Sequence, residues 1–378
     1  MKRRSVIGPA ALAMATALLF GAATAAQEEE PSETLQQLGN DLFAELLFNN
    51  QGTGFAIACS VCHAIGESVP GKSERYYADY TPTSLTANRE TTERNAQTLA
   101  DASRAEVFGW DGAYDSMEDM ILDKLVGKQY GWSDEDRDAG MDNATYVLLN
   151  EGHNAISGVP YLDQFQEVYG LDLESLPRPE VAAAAARALA DYTRTLSYTM
   201  TARWDAFAEQ NRFRKQPNDD EDMLNYAASI ESRIFNQEGR NLIRRPEGFT
   251  ETAYEGFKTF FRAFDVESVG NCVRCHVPPT FSDYALHGTG AGDFKTPPLR
   301  NLARTDPYLH DGSAATLEDA IRAHMALAEA ADSEQEGVDP LFGEINISDA
   351  DIEPLVLFLQ MLDEVGPENF RHYLINFE

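Results

Sequence analysis

Apolar residues recur at helical spacing in six parts of the chain, whereas alternating apolar and polar runs typical of strands are sparse. Spacings of three and four residues predict helices over residues 38–48, 115–126, 179–197, 253–264, 316–331 and 348–362. Ser348 and Asp351 form a capping-box-like start to the last of these. We therefore predict a mainly α protein with long loops and little β structure.

The predicted helices fall into two groups that are separated by a polar stretch. Residues 209–250 are rich in charge and include the run Asn-Asp-Asp-Glu-Asp at 218–222, which predicts a connecting segment at the surface. Roughly 350 residues after the N-terminal segment suit two domains. We predict a first domain over residues 27–208 and a second over residues 251–378.

Residues 1–26 have the pattern of a secretory signal peptide. Lys2, Arg3 and Arg4 precede an apolar run, and small residues before Gln27 supply a cleavage site. The run is too short and too rich in alanine for a retained anchor, and no other stretch approaches the ~20 apolar residues of a spanning helix. We expect export to a periplasm without membrane insertion.

The chain is strongly acidic. It has 62 aspartates and glutamates against 30 lysines and arginines, a formal net charge of -32, which becomes about -35 once the signal peptide is removed. Such a surface repels nucleic acid and anionic membranes, and it would attract a basic redox partner. Adaptation to a saline habitat explains the same charge equally well.

All four cysteines lie in two copies of one pentapeptide. The copies are Cys59-Ser60-Val61-Cys62-His63 and Cys272-Val273-Arg274-Cys275-His276. In a C-x-x-C-H segment the thiols form thioethers with a haem, and the histidine ligates its iron. A zinc site would need both cysteine pairs to converge, and it would not explain the two histidines. The sequence therefore predicts two covalently attached haems.

Three further motifs show a family resemblance. Residues 294–312 read FKTPPLRNLARTDPYLHDG and are followed by TLEDA at 316–320, while residues 94–99 read RNAQTL and residues 108–112 read FGWDG. These resemble the PTLRN, APYxHDG, TLEEA, RNxPTL and FWDGR stretches of the bacterial di-haem cytochrome c peroxidase and MauG family. The resemblance spans nearly the whole mature chain and implies two cytochrome c-like haem domains.

The resemblance assigns a role to several residues between and around the haems. The second haem takes a distal ligand from the helix after the HDG turn, and His324 stands at that spacing, with Met325 as the alternative. Trp110 corresponds to the tryptophan that lies between the two haems, where it can relay electrons or simply pack. Bis-histidine ligation by His276 and His324 would lower the potential of this haem relative to histidine and methionine.

The resemblance also implies a calcium ion between the haems. Asn95, Thr305 and Pro307 match the positions whose oxygens hold this ion together with waters, and amide and carbonyl oxygens are suitable hard donors.

The first haem departs from the peroxidase pattern in two ways. Many di-haem peroxidases close this iron with a removable histidine, but no histidine occurs between His63 and His153, so we expect an open iron, as in MauG.

The second departure concerns the distal residues, because the family places a distal Gln and Glu about ten and twenty residues after the tryptophan. Here those positions are Met120 and Tyr130, with Gln129 beside the latter. Met120 would ligate the iron, narrow the haem pocket, or pack in the core as an ordinary apolar side chain. Gln129 or Tyr130 would supply the missing polar group.

The remaining histidines have weaker assignments. We expect His310 to hydrogen-bond near the second haem, and His287, His153 and His372 to have structural or surface roles.

Three functions remain possible from the sequence. The chain is a peroxidase that receives electrons from a small redox protein (cytochrome c or cupredoxin), a MauG-like enzyme that uses hydrogen peroxide to oxidise a partner protein, or a non-catalytic electron carrier or redox sensor. We expect hydrogen peroxide to react at the N-terminal haem, with the C-terminal haem as the electron relay.

Overall fold

The structure is a computed structural model of the chain that describes residues 32–53, 56–63, 86–88, 92–150, 157–264 and 267–364. The predicted signal peptide, His153 and His372 lie outside these residues. The described helices are α1 Glu33–Phe43, α2 Cys59–Cys62, α3 Met117–Leu125, α4 Arg137–Leu149, α5 Tyr161–Tyr169, α6 Arg178–Arg194, α7 Arg203–Asn211, α8 Met223–Glu238, α9 Glu251–Phe261, α10 Leu317–Asp332 and α11 Asp349–Leu359.

Strand structure is limited to one small sheet in the described part of the chain. Strands β1 (Leu286–Gly288) and β2 (Asp293–Lys295) pair antiparallel. The predicted class, mainly α with little β structure, is therefore confirmed. Of the helices described, none has the length and apolar character needed to cross a lipid bilayer.

Helix α6 organises the first core. Its alanines and leucine favour helix, Pro179 stands in its first turn, and Arg194 lies in its last turn, where a cation is favoured. Because the buried alanines have small side chains, α1, α3 and α4 can all pack against α6. Gly39 of α1 is required at one such contact, since a Cβ there would lie 2.3 Å from the ring of Tyr192.

The second core is built around one fully buried indole. The ring of Trp204 on α7 contacts Phe207 of the same helix and four phenyl rings from three other segments, namely Phe257, Phe261, Phe281 and Phe358. Aromatic pairs of this kind contribute stability beyond their buried area. Helices α9 and α11 pack against each other across this core.

Five of the six predicted helices form close to their predicted bounds, and the first is shifted. Helix α1 begins after Ser32, whose hydroxyl caps it, and it ends at Phe43. The residues beyond it are held in a turn, because Glu45 accepts hydrogen bonds from Tyr161 and from the amide of Leu47, and Asn49 donates to the carbonyl of Leu46. Such local side-chain bonds compete with helix.

Four of the longer helices, α4, α5, α7 and α8, were not predicted, and the reason is clearest for α8. Helix α8 lies inside the polar stretch 209–250, and its residues Tyr226, Ala227, Ile230 and Ile234 are buried in the second core. Asp222 caps its first turn. The second core thus gathers residues from Trp204 onwards, while the boundaries at 208 and 251 stay predictions.

The contact between α9 and α11 gives a stability prediction. A Cβ at Gly256 would lie 1.9 Å from the carbonyl oxygen of Pro354, so Gly256→Ala must push the two helices apart. We expect a loss of about 1–3 kcal/mol in the free energy of unfolding. Chemical denaturation measures it. Glu255→Ala, at the exposed neighbouring position, should change stability by less than about 0.5 kcal/mol, and an equal effect of both changes would contradict the clash.

Candidate haem sites

The two C-x-x-C-H motifs adopt similar compact turns. The first forms α2 and the second a 3₁₀ turn at Cys272–Arg274. In each, the amide of the histidine donates to the carbonyl of the first cysteine, at 2.8 Å for His63 and at 2.8 Å for His276. Both motifs line one continuous cavity of about 970 Å³ that runs between the domains. Each motif therefore presents its sulfurs and imidazole to a space suited to a large planar group.

His276 and His324 face each other across the second part of this cavity. Their ring centroids are 6.3 Å apart. Two imidazoles that bind one metal from opposite sides, each at about 2 Å, have ring centres about 6 Å apart. The separation therefore fits a metal placed between them.

Hydrogen bonds fix the tautomer of both rings. Nδ1 of His276 lies 3.0 Å from the carbonyl oxygen of Phe281, and Nδ1 of His324 lies 2.8 Å from that of Ala320. A carbonyl only accepts, so each Nδ1 carries the proton and each Nε2 keeps its lone pair. Burial, and then repulsion from His324, lowers the pKa of His276 to about 4. Met325, the alternative ligand, packs against the second core.

Trp110 lies where the two domains meet. Its side chain is 8% exposed, and its Nε1 donates to the carbonyl oxygen of Asn95 at 2.8 Å. Its own carbonyl accepts from the amide of Lys295 at 2.7 Å. Trp110 is thus held to the first domain through its indole and to the second through its backbone, within the cavity that both haem motifs line.

The HDG turn contacts the first domain beside Trp110. The ring of His310 stacks on Phe294 with centroids 3.7 Å apart, and the guanidinium of Arg94 lies over the same phenyl ring. The carbonyl of His310 accepts from the amide of Asn95 at 2.8 Å. His310 therefore takes part in the domain contact, which its spacing from the second haem motif did not reveal.

A buried ion pair holds the PPLRN stretch. Arg300 is 2% exposed, and its two terminal nitrogens lie 2.8 and 2.9 Å from the carboxylate of Asp205. Its Nε donates to the carbonyl of Pro279, just beyond the second haem motif. Arg300 thus ties the segment that carries Lys295 to the histidine ligand loop.

Two of the three residues predicted to bind calcium, Asn95 and Pro307, lie in direct contact. The side-chain amide of Asn95 lies 2.5 Å from the carbonyl oxygen of Pro307, and both residues line the cavity with Thr305. An amide turned by half a rotation presents its oxygen at the same place. The donors are therefore of the kind that calcium takes, although calcium needs six to eight oxygens.

The three distal candidates of the first haem occupy different places. Met120 lines the cavity on one face of α3, and Gln129 and Tyr130 line it from the following turn. The hydroxyl of Tyr130 lies 3.2 Å from Sγ of Cys59, next to the point of haem attachment. Burial raises the pKa of Tyr130, so its phenol stays protonated.

A polar cluster beside Met120 was missed by the sequence analysis. Tyr114 donates to the carboxylate of Asp123 at 2.5 Å, Lys124 Nζ lies 3.2 Å from the Tyr114 hydroxyl, and Arg137 donates to Asp123 at 2.7 Å. Burial opposes ionisation of Asp123, but the bonds from Tyr114 and Arg137 lower its pKa overall. Tyr114 and Lys124 line the cavity together with Met120.

His287 forms a second charged cluster, near the second haem motif. Its Nε2 lies 2.9 Å from Asp283 and its Nδ1 lies 2.7 Å from Asp339. Asp283, the neighbouring Cys275 sulfur and Asp339 together raise the pKa of His287 to about 11. The structural role expected for His287 is consistent with this cross-link between the ligand loop and the loop after α10, and it stays a prediction.

Comparison with known proteins identifies the family. Residues 33–212 match the sequence profile of the di-haem cytochrome c peroxidases. The chain is 22% identical over 347 residues to methylamine utilization protein MauG of Methylophilus methylotrophus, a match that covers 86% of this chain and 81% of MauG.

Two solved structures share the fold. One is a MauG-like protein associated with microbial copper homeostasis, with a TM-score of 0.55 and 20% identity over 88% of this chain and 90% of the other. The other is a variant of the diheme peroxidase BthA from Burkholderia thailandensis, with a TM-score of 0.55 and 15% identity over 89% and 87% of the two chains.

The chain belongs to the di-haem cytochrome c peroxidase and MauG family. The resemblance found in the motifs is thereby confirmed. Membership gives the protein two haem cofactors and a peroxidase-type redox function.

The His287 cluster predicts a pH-dependent contribution to stability. A raised pKa means that the contribution is complete below the ordinary value of 6.5 and is lost as pH rises towards about 11. His287→Gln should therefore lower the free energy of unfolding by about 1 kcal/mol at about pH 5.5 and by less at about pH 9.5. The effect is small because solvent screens these partly exposed ion pairs. Denaturation at the two pH values measures this. Thr289→Ala serves as control, and a pH-independent loss in His287→Gln would contradict the ion pairing.

Proposed function

We propose that the protein is a periplasmic di-haem c-type oxidoreductase that activates hydrogen peroxide at its N-terminal haem. Electrons pass between the haems by way of Trp110. The observation that carries this proposal is the position of Trp110, which is buried, bonded to both domains, and part of the cavity that both haem motifs line. The signal-peptide pattern supports the periplasmic location.

The cysteine pairs attach the haems by thioethers, with His63 and His276 as the proximal ligands. When bound, the haem at the first motif would supply the chemistry of peroxide activation. The protein contributes the ligands, the residues that hold the proton, and the route for electrons.

His324 is the distal ligand of the second haem. The 6.3 Å separation from His276 and the protonated Nδ1 of both rings support this assignment. Held by two imidazoles, this haem would serve electron transfer and would not take peroxide. A bis-histidine haem has a lower potential than one with a thioether ligand, which favours delivery of electrons to the first haem.

The first haem has an open distal side. The absence of a histidine between His63 and His153 supports this assignment. Gln129 and Tyr130 line the cavity near this haem, but the contact of Tyr130 with Cys59 puts that hydroxyl at the haem attachment point. Met120 contributes an apolar wall.

A calcium ion binds near the domain contact, with oxygens from Asn95, Thr305 and Pro307 and with waters. The close approach of the Asn95 amide to the Pro307 carbonyl supports this. Because Asn95 also accepts from the indole of Trp110, the ion would stabilise the electron route.

The electron source is either a small redox protein (cytochrome c or cupredoxin) or a partner protein that is itself oxidised, as in a MauG-like reaction. The missing gating histidine favours the second. A non-catalytic electron carrier or sensor is the alternative, and the observation that favours it is Met120 in the first haem pocket.

Electron paramagnetic resonance of the ferric holoprotein tests the two haem environments. We expect one high-spin signal from the first haem and one low-spin signal from the second, both lost on adding stoichiometric peroxide. His324→Ala should convert the low-spin signal to high spin. Two low-spin signals that do not respond to peroxide would exclude the enzyme and favour the electron carrier.

Substitution of Trp110 tests the relay. Trp110→Phe keeps an aromatic ring but loses the bond to Asn95, and we expect electron transfer between the haems to slow by about tenfold or more, with both haems still attached. Rapid photoreduction of one haem, followed by the absorbance of the other, measures the rate. Trp132→Phe is the matched control, since its indole bonds to Phe48 inside the first core. An unchanged rate in Trp110→Phe would remove the relay role.

A further inference from the structure

Residues 108–125 and 308–325 build the same local structure in the two domains, at one constant offset in the numbering. The amide of Phe108 donates to the carbonyl of Tyr114 at 2.8 Å, and the amide of Tyr308 donates to the carbonyl of Ala314 at 2.7 Å. Each bond closes a loop, WDG in one domain and HDG in the other.

The backbone of the two loops matches residue by residue. Gly109 and Leu309 both have positive φ angles, of 83° and 72°, and so do Gly112 and Gly312, of 66° and 71°. A leucine in the left-handed region is uncommon, so its agreement with Gly109 shows that the loop geometry is common to both domains.

The helices that follow begin in the same way. The hydroxyl of Ser116 accepts from the amide of Asp119 at 3.1 Å, and the hydroxyl of Thr316 accepts from the amide of Asp319 at 3.1 Å. Helices α3 and α10 are therefore in register.

The two helices also present the same face to the cavity. Four equivalent pairs line it, Met117, Met120, Ile121 and Lys124 on α3 and Leu317, Ala320, Ile321 and His324 on α10, while Leu125 and Leu327 line it without an equivalent partner. In this register, Lys124 takes the place of His324. The side chain that closes the second haem corresponds to a lysine at the first.

The surroundings of Lys124 differ from those of His324. Its Nζ lies 3.2 Å from the hydroxyl of Tyr114 and 3.7 Å from the carboxylate of Asp123. The positions of Tyr114 and Asp123 in the second domain are Ala314 and Ala323. The polar cluster thus belongs to the first haem alone.

We propose that Lys124 is the distal hydrogen-bond and proton donor of the first haem, with hydrogen peroxide as the ligand it meets. This rests on the proposed open first haem. An ammonium has no lone pair, so Lys124 leaves the iron open where His324 closes the other. Lys124 thus supplies the hydrogen-bond donor that Met120 cannot provide.

The protons balance within the cluster. Lys124 gives one proton to the peroxide oxygen that leaves as water. As this proton leaves the ammonium, the proton that the other oxygen loses passes to the lysine nitrogen, so Lys124 ends the step with the protons it began with. The two electrons come from the haem site and are replaced by the reductant of the proposed function.

Placing a histidine at position 124 tests whether this position faces the iron as position 324 does. Lys124→His should supply a second imidazole to the first haem and convert its high-spin paramagnetic resonance signal to a low-spin signal. Lys215→Met, in the segment between the domains, is the control and should leave the high-spin signal unchanged. A Lys124→His protein that keeps its high-spin signal would overturn the proposed position.

Fluoride binding tests the donor. Fluoride binds ferric high-spin haem, and its affinity depends on a hydrogen-bond donor above the iron. We expect Lys124→Met to raise the Kd for fluoride by about tenfold or more, because a charge-assisted bond is lost, and Lys124→Arg to stay near the wild-type value. The reaction with peroxide should slow by about a hundredfold in Lys124→Met.

The outcomes separate this inference from the proposed function. No fluoride binding in the wild type would mean that the first haem is closed, and the proposed function itself would then fail. Wild-type binding with an unchanged Kd in Lys124→Met would overturn the donor role of Lys124 and leave the open haem in place.

Discussion

The contact between residues 94–110 and residues 294–310 is the constraint on which the rest of the structure depends. Asn95 bonds to the HDG turn and to the indole of Trp110, while Lys295 bonds through its backbone to Trp110 and through its ammonium to the carbonyl of Val107 at 3.0 Å. Burial lowers the pKa of this lysine to about 8. Polar groups of this kind are costly to bury unless they are bonded, so the domains are held in one relative position. That position brings two haem motifs to one cavity with a tryptophan at the junction.

The second domain supplies the rigid side of this contact. Trp204 and its surrounding phenyl rings fill the core, and the Asp205 carboxylate next to it binds Arg300. Removing one partner of a buried ion pair typically costs about 3–5 kcal/mol. Because Arg300 also bonds to Pro279, it ties the second core to the loop after His276 and to the segment that follows Lys295. The same buried side chain therefore helps to position His276 and the contact of Lys295 with Trp110.

The family, the mainly α class and six of the eleven described helices could be predicted from the sequence, because the motifs are contiguous and helical spacing is a local property. Helix α8 could not, since its four buried residues are embedded in a segment whose average composition is polar. Leu317, Ile321 and His324 stand at helical spacing and all three line the cavity, while the role of His324 as a haem ligand stays a prediction. The Tyr114, Asp123 and Lys124 cluster was missed, because those residues resemble an ordinary exposed helix until the loop before α3 turns them towards the cavity. The roles predicted for Trp110, Met120 and the calcium ligands depend on the orientation of their side chains, which the sequence does not give.

One loop-and-helix unit, used twice, would account for the unequal chemistry that we propose for the two haems. The WDG and HDG loops have the same backbone, and α3 and α10 start from equivalent caps. What differs is a few side chains on one helical face. In the second domain the positions equivalent to Tyr114 and Asp123 are alanines, and Nδ1 of His324 is satisfied by the helix itself, which leaves Nε2 with a lone pair. In the first domain the phenol of Tyr114 lies beside Lys124 and donates to the carboxylate of Asp123, and the ammonium of Lys124 offers protons and no lone pair. An electron-transfer site and a peroxide site can therefore arise from one backbone, provided that the side chains at equivalent positions differ in whether they offer a lone pair or a proton.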